Sequence, residues 1–401
     1  MLGAPNRNIL KWWAFMGKTL SIVVPAYNEE EAIRAILERC LAAREAICRE
    51  TGLSQVEVVV VDDGSRDKTR EIASGIAQVQ LVVHPVNRGY GEASKTGFGA
   101  ATGDYLGFLD ADGTCDPLSF IPLYKALEEQ GAQLSIGNRL HAGSQMPRIR
   151  FIGNRFYALV VSWLTGVPVG DTASGMRLFS RSLLDRLYPL PSGLHFTPAM
   201  TARAACTGAR IAETPIPYAE RKGRSKLNVI ADGVRFLRVI LGIIFANFPL
   251  RIFGPAGISF ALVALGYGIG PVAYYLQHRR LEPDIMIYRL LTIVTLTACG
   301  FICLTYGLIA QKISDIANHK DSGWLNEPWL RESAVVFGVL SGLAGILLNS
   351  KTILEYVTRG QITIPWIYVL TGGMLVILGT VLAAFGVVLG LMGHLSFTAR
   401  K

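Results

Sequence analysis

Asp110 and Asp112 stand one residue apart, just after the apolar run Tyr105-Leu106-Gly107-Phe108-Leu109, and Gly113 turns the chain behind them. Carboxylates at this spacing are hard oxygen ligands for Mg²⁺ or Mn²⁺, which proteins often hold with one or two carboxylates and share with substrate phosphates. A second acidic pair, Asp62-Asp63, follows the apolar run 56–61 and leads into Gly64-Ser65. Basic residues come later, at Arg139, at Arg148, Arg150 and Arg155, and in the stretch RKGRSKL at 221–227. Between them lies Asp171-Thr172-Ala173-Ser174-Gly175-Met176-Arg177, a loop of small residues with one acid and one base. A lone Asp-x-Asp also describes a solvated turn, and scattered arginines a solvated face. Taken together, two acidic clusters and several basic loops suit a metal-bound diphosphate facing a second anion. The chain has no GxGxxG or GxxxxGK[ST] phosphate cradle, and the lone Gly89-Tyr90-Gly91 is weak evidence for one.

These side chains need elements to hold them. Residues 20–24, closed by Pro25, read as a first strand, and Asn28 with Glu31 three residues on reads as a capping box opening a helix. Ile33, Ile36, Leu37, Cys40 and Leu41 recur at helical spacing and should face a sheet. Strands follow at 56–61, 81–83, 105–109 and 134–136, alternating with helices at 69–77, 92–101 and 118–130. That alternation predicts a doubly wound, parallel α/β sheet. Buried parallel strands that end at Pro25, Asp62 and Asp110 would open on one edge, where such sheets bind ligands.

Composition changes near residue 230. The first part is mixed and charged, and long apolar stretches dominate the second, which accounts for a 51% hydrophobic content over 401 residues. Residues 234–248 carry Arg235 and Arg238 beside an apolar run and read as an interfacial helix. Four spans are expected near 252–276, 286–310, 333–348 and 362–391, the third cut short by Asn349, Ser350 and Lys351. The opening residues show too short an apolar stretch for a secretory signal, so they read as a tail touching lipid through Trp12 and Trp13. Six cysteines in no paired pattern suit a reducing cytosolic face. The net charge of +9 fits an anionic membrane surface better than nucleic acid, for which no module is visible. Counting positive loops leaves the orientation almost tied; the basic cluster at 221–251 favours both termini in the cytosol.

The stretches VVPAYNEE, VVDDGSRDKT, FLDADG, IGNR, DTASGMRLF and RKGRSKL resemble, in this order, glycosyltransferase family 2, and within it the polyisoprenyl-phosphate glycosyltransferases. The resemblance spans residues 20–227. It implies a GT-A fold and an inverting transfer, without a covalent sugar intermediate, from a UDP- or GDP-linked sugar to a polyisoprenyl phosphate. Carried over by position, Pro25, Tyr27, Glu29, Asp63, Asp110 and Arg139 hold the nucleotide sugar, and Asp110 and Asp112 hold Mg²⁺ or Mn²⁺. Asp112, Arg150 and Asp171 carry the catalysis, while Ser174, Arg224, Ser225 and Lys226 meet the acceptor phosphate. Two departures from the family pattern stand out, over three positions. Thr114 and Cys115 stand where DADxQH would put Gln and His, and Asn154 stands where a serine is usual.

The expected plan is a tail at 1–18, a GT-A domain at 19–230, an interfacial amphipathic helix at 231–249, an all-α transmembrane domain of four helices at 250–395, and a tail at 396–401. That describes a multi-pass protein of the plasma membrane, or of the endoplasmic reticulum in a eukaryote, with its catalytic domain on the cytoplasmic face and with room for a homo-oligomer. A processive polysaccharide synthase is the alternative enzyme, but the Q-x-x-R-W helix motif is missing. A catalytically inactive nucleotide-sugar sensor or scaffold is the alternative from another class, and the Thr114-Cys115 pair is its support.

Overall fold

The computed structural model describes residues 17–141, 144–219, 229–279, 283–318 and 322–398. Trp12, Trp13, Arg224, Ser225 and Lys226 lie outside the described residues. The chain divides into two compact units, Met1–Ile244 and Phe245–Lys401.

The first unit is built on seven strands: β1 (Thr19–Ala26), β2 (Gln55–Asp62), β3 (Gln80–Val83), β4 (Tyr105–Phe108), β5 (Leu134–Asn138), β6 (Arg177–Ser180) and β7 (Ile211–Pro215), in the spatial order β3-β2-β1-β4-β6-β5-β7. All neighbouring pairs are parallel except those of β6, which runs antiparallel to both β4 and β5. Helices α1 (Ile33–Thr51), α2 (Thr69–Ser74), α3 (Tyr90–Ala100) and α4 (Phe120–Glu129) supply the crossovers. Side chains alternate across the sheet as strand geometry requires. Ile22, Val24, Val58 and Val60 face one core with Ile33, Ile36, Leu37 and Cys40 of α1, while Val23 and Val59 face the other with Phe98 of α3. Phe98 also sits at the centre of an aromatic cluster, its ring 5.7 Å from Phe108, 5.3 Å from Phe179 and 6.3 Å from Phe196.

The expected capping box at Asn28 does not form. The helix begins five residues later, at Ile33. Asn28 adopts a left-handed φ of 50°. Its side chain accepts from the Arg66 amide at 2.8 Å, and its own amide donates to Ser65 Oγ at 2.9 Å. Asn28 therefore ties the end of β1 to the loop after β2 instead of starting a helix. Asn tolerates that conformation better than most residues.

Beyond β5 come α5 (Arg148–Thr165), the short α6 (Leu184–Leu187), α7 (Phe196–Cys206) and α8 (Val229–Asn247). α8 covers the segment expected to lie at a membrane interface. Its Phe236, Ile240 and Ile244 are buried, and Val239 and Ile243 pack on the second core.

The second unit contains α9 (Leu250–His278), α10 (Pro283–Ala317), α11 (Pro328–Arg359) and α12 (Trp366–Thr398). Each is long and apolar enough to cross a bilayer. The third span does not stop at Asn349. α11 continues to Arg359, and the Asn349 amide lies against the backbone of α12, 3.4 Å from the Val369 carbonyl. Gly372 makes room for it, since a Cβ there would come within 2.4 Å of that amide. Small residues also bring backbones together at Gly257 with Gly300 and at Gly338 with Gly379, as apolar helix pairs favour.

Gly97 and Gly99 on α3 provide a packing test. A Cβ at Gly97 would lie 2.2 Å from Val23 Cγ1, whereas one at Gly99 meets nothing within 4 Å. Val23 is stiff at χ1 and cannot swing away cheaply. Gly97→Ala should therefore destabilise the protein by about 1–3 kcal/mol, and Gly99→Ala should be neutral or stabilising through helix propensity. Thermal denaturation of the two variants checks this, and equal melting temperatures would refute the packing argument.

Candidate active site

β1, β2 and β4 run parallel in a register that pairs Ala26 with Asp62 and Val23 with Phe108, so their carboxyl ends share one edge. A cavity of about 570 Å³ opens there, lined by Pro25, Tyr27, Glu29, Asp63, Asp110, Asp112, Arg139 and Arg150 among others. The structure thus brings together the residues expected for the donor, both expected metal ligands and one of the three arginines at 148–155. Arg148 and Arg155 are exposed and do not line the cavity.

Asp110 accepts a hydrogen bond from the Tyr90 hydroxyl at 2.8 Å. On its other side lies Gly175, where a Cβ would fall 2.0 Å from Asp110 Oδ2, so only glycine fits the loop over this carboxylate. Asp112 Oδ1 accepts from the Thr114 amide at 3.1 Å and from its hydroxyl at 2.7 Å. Thr114 therefore orients the second carboxylate. Cys115 points into the core, where burial pushes its thiol up to about 12 and leaves it inert. No cluster of three or more His, Cys, Asp or Glu suited to a metal occurs among the described residues. Two carboxylates facing a cavity that can admit phosphate oxygens nonetheless fit Mg²⁺ or Mn²⁺.

Asp63 lines the cavity while holding its wall. Its carboxylate accepts from the Arg88 and Gly89 amides at 2.9 and 2.8 Å and meets His84 Nδ1 at 2.7 Å. The Gly89-Tyr90-Gly91 turn has a packing reason. Cβ atoms at Gly89 and Gly91 would fall 2.6 Å from the Ser192 carbonyl oxygen and 2.1 Å from that of Pro191. The close approach lets Tyr90 reach Asp110.

Asp171 and Ser174 are fully buried and do not line the cavity. Asp171 grips Arg139 through two oxygens, Nε to Oδ2 at 2.8 Å and Nη2 to Oδ1 at 3.1 Å, and also accepts from the Arg139 amide. Burial works to raise the Asp171 carboxyl, but the Arg139 guanidinium and these hydrogen bonds outweigh it and hold the group below the usual carboxylate range. Ser174 Oγ is engaged with the Met176 backbone. Arg177 lies beneath the same loop, its Nε donating to the Ser174 carbonyl at 3.0 Å and its Nη2 to that of Thr172 at 2.6 Å, and burial pushes it down to about 10.

Sequence reasoning missed several participants. Glu213 on β7 accepts from the Gly170 amide at 2.7 Å, the Asp171 amide at 3.2 Å and the Asn138 side chain at 2.9 Å. Tyr218 faces the Arg139 guanidinium, 5.7 Å from it to the ring centre, and Tyr157 lines the same wall. The isolated acid in Ile-Ala-Glu-Thr-Pro and the tyrosine between two glycines were the signals available for Glu213 and Tyr90.

A mostly parallel sheet with one antiparallel insertion, and paired aspartates with arginines at its carboxyl edge, define a transferase of the GT-A type. Residues 21–188 match glycosyl transferase family 2. A low-salt glycan biosynthesis hexosyltransferase, Agl6, of Haloferax volcanii is 29% identical over 86% of this chain and 82% of its own length. A dolichyl-phosphate hexose transferase of the same organism is 36% identical over 53% of this chain and 89% of its own. Among solved structures, a glucosyl-3-phosphoglycerate synthase from Mycobacterium tuberculosis, in complex with Mn²⁺, UDP and glucosyl-3-phosphoglycerate, is 23% identical over 61% of this chain and 86% of that one, with a TM-score of 0.46. The chain belongs to glycosyl transferase family 2.

Asp171→Asn removes the counter-charge of a buried guanidinium and should cost about 3–5 kcal/mol at neutral pH. A carboxyl held low contributes stability above its unfolded pKa, near 3.9, and loses it as pH falls through the lower folded value. The gap between variant and wild type should therefore be full at pH 7 and narrow only in acid. Denaturation across pH reads it, and a gap that widens toward acid would contradict the ion-pair account.

Proposed function

We propose that the protein transfers a sugar from a nucleotide-sugar donor to a polyisoprenyl phosphate, dolichyl or undecaprenyl, with inversion at the anomeric carbon. The observation that carries this reading is the meeting of Asp110 and Asp112 with Arg139 and Arg150 in one cavity at the carboxyl edge of the sheet. The dolichyl-phosphate hexose transferase and hexosyltransferase relatives support the acceptor class and the transferred group.

The nucleoside is assigned to Pro25, Tyr27, Glu29 and Asp63, and the donor diphosphate to Arg139 on one side and Asp110 and Asp112 on the other. Mg²⁺ or Mn²⁺ held by these aspartates supplies charge neutralisation for the departing diphosphate. Tyr90 and Thr114 fix the two carboxylates, and Asp171 fixes the Arg139 guanidinium, so the site's dipoles are set before the donor arrives. A lipid phosphate oxygen attacks the anomeric carbon as the bond to the diphosphate breaks. That oxygen is already largely ionised at neutral pH, because its second pKa is about 6, so the step needs little help from a base. Asp171, buried against Arg139, therefore serves as a positioning residue. Arg150 bridges the two phosphates, and Arg224, Ser225 and Lys226 with the Ser174 loop receive the acceptor. The catalytic unit faces the cytosol, where nucleotide sugars are made.

The test incubates purified enzyme with a panel of labelled nucleotide sugars and a polyisoprenyl phosphate, then extracts the lipid. EDTA should abolish lipid-linked sugar and Mg²⁺ or Mn²⁺ should restore it; Asp112→Asn should stay folded and lose turnover. Full activity in chelator would sink the metal assignment, and no lipid product with any donor would favour an inactive scaffold.

Donor and acceptor roles separate by mutation. Lys226→Ala should raise the lipid phosphate requirement at least tenfold, since losing one partner of a desolvated charge pair costs about 2–5 kcal/mol, with donor affinity changed much less. Calorimetric titration of nucleoside diphosphate with metal, paired with kinetics against lipid phosphate, distinguishes the two. Lost nucleotide binding with wild-type lipid dependence would move this loop to the donor.

A further inference from the structure

His84 is a buried histidine to which the proposed transfer gives no task. It stands just past the end of β3, where its amide donates to the Asp62 carbonyl at 2.9 Å. Its ring bridges two elements: Nδ1 lies 2.7 Å from Asp63 Oδ1, and Nε2 lies 3.0 Å from Thr96 Oγ1 on α3. An ionised carboxylate only accepts, so the network assigns the proton to Nδ1, which donates to Asp63. In that tautomer Nε2 accepts from the Thr96 hydroxyl, and both ring nitrogens are satisfied. The chain from Thr96 through His84 fixes how the Asp63 carboxylate is turned.

Asp63 lines the cavity, so its orientation bears on what binds there. A carboxylate offers about four acceptor positions. His84 Nδ1 and the Arg88 amide, at 2.9 Å, take both on Oδ1, and the Gly89 amide, at 2.8 Å, takes one on Oδ2. Gly64 permits this enclosure, because a Cβ there would fall 2.6 Å from the Val86 carbonyl carbon. A single acceptor position, on Oδ2, is left for the cavity. Nucleobases differ in what they bring to such an atom. Uracil has one ring N–H, set between two carbonyl groups. Guanine has a ring N–H beside an amino group, two parallel donors that suit both oxygens of a carboxylate. Cytosine and adenine present a bare ring nitrogen, which a carboxylate repels. We infer that His84 is the positioning residue of the nucleobase site, holding Asp63 so that its one free acceptor selects a uracil base over guanine. The inference rests on the proposed nucleotide-sugar donor and names the nucleotide that carries the sugar. Guanine on the same carboxylate would keep one donor desolvated and unpaired, the mismatch by which polar sites discriminate.

Calorimetric titration of UDP and of GDP, each with Mg²⁺, into the full chain in detergent tests this. Wild-type protein should bind UDP at least about tenfold more tightly than GDP. Two substitutions separate the roles of the ring nitrogens. In His84→Asn the side-chain amide can stand where Nδ1 stood and still donate to Asp63, giving up Thr96. In His84→Gln the amide reaches the position of Nε2, keeping Thr96 and releasing Asp63 Oδ1. His84→Asn should hold UDP within about threefold of wild type, whereas His84→Gln should weaken UDP about tenfold and bring the UDP-to-GDP ratio toward one. Equal UDP affinity and equal selectivity in the two folded variants would reduce His84 to a packing residue and overturn the proposal. GDP bound by wild type as tightly as UDP would also overturn it, and that comparison depends on no variant. Failure of both nucleotides to bind wild type would overturn the donor reading itself, and this inference with it.

Discussion

The Arg139–Asp171 pair joins the end of β5 to the start of the loop before β6, and the cavity's shape depends on that junction. The loop must run close over Asp110, because Gly175 leaves no space between its backbone and the carboxylate. Backbone so deeply placed needs partners for its polar groups. Glu213 takes the Gly170 and Asp171 amides from one side, and Arg177 takes the Thr172 and Ser174 carbonyls from the other. A buried ion pair is weak evidence for net stability, since desolvation offsets much of its Coulomb gain. Its value here is geometric: it fixes which way a guanidinium points in the cavity.

The same pair sets the charge that the cavity presents. Arg139 lies against Asp171, so the diphosphate would meet a cation already partly neutralised and held in place. Asp110 and Asp112 repel a diphosphate until a divalent cation balances them. Under the proposed roles, the carboxylates would oppose the donor without metal, and with metal the arginines would leave the site attractive to a second anion. That fits a reaction whose difficulty is the meeting of two anions, and whose nucleophile needs no deprotonation.

Much of this was legible because buried parallel strands announce themselves as apolar runs and their carboxyl ends bear the chemistry. Pro25, Asp62 and Asp110 could be placed on one edge from that logic alone, and Asp63 and Asp112 lie beside them. Local signals failed where long-range partners intervened. Asn28 looked like a helix cap because Glu31 follows it, yet the loop at Ser65 and Arg66 binds it instead. Asn349 looked like the end of a span, but a glycine on the neighbouring helix accommodates it. Glu213 carries no motif, and only the pairing of β5 with β7 brings it beneath Asp171. Ile152, Phe156, Leu159 and Trp163 of α5 stood in the sequence at helical spacing, but periodicity cannot tell an apolar face that packs from one that stays exposed. Residues 234–248 drew the interfacial reading from the same kind of pattern, and α8 also packs Val239 and Ile243 on the second core.

The Thr114-Cys115 departure bears on whether the site works. Cys115 has been absorbed into the core, and Thr114 holds the Asp112 carboxylate. Neither change removes a carboxylate from the cavity. Two like charges sharing one cavity are costly, and a fold that needed only packing would be better served by neutral residues there. Gly175, Tyr90 and Thr114 are arranged around those two charges, one leaving room for a carboxylate and two donating to one. A binding scaffold would require the nucleoside wall alone. The support built for Asp110 and Asp112 makes sense when a cation must sit at a defined point beside a leaving phosphate, which is a requirement of transfer.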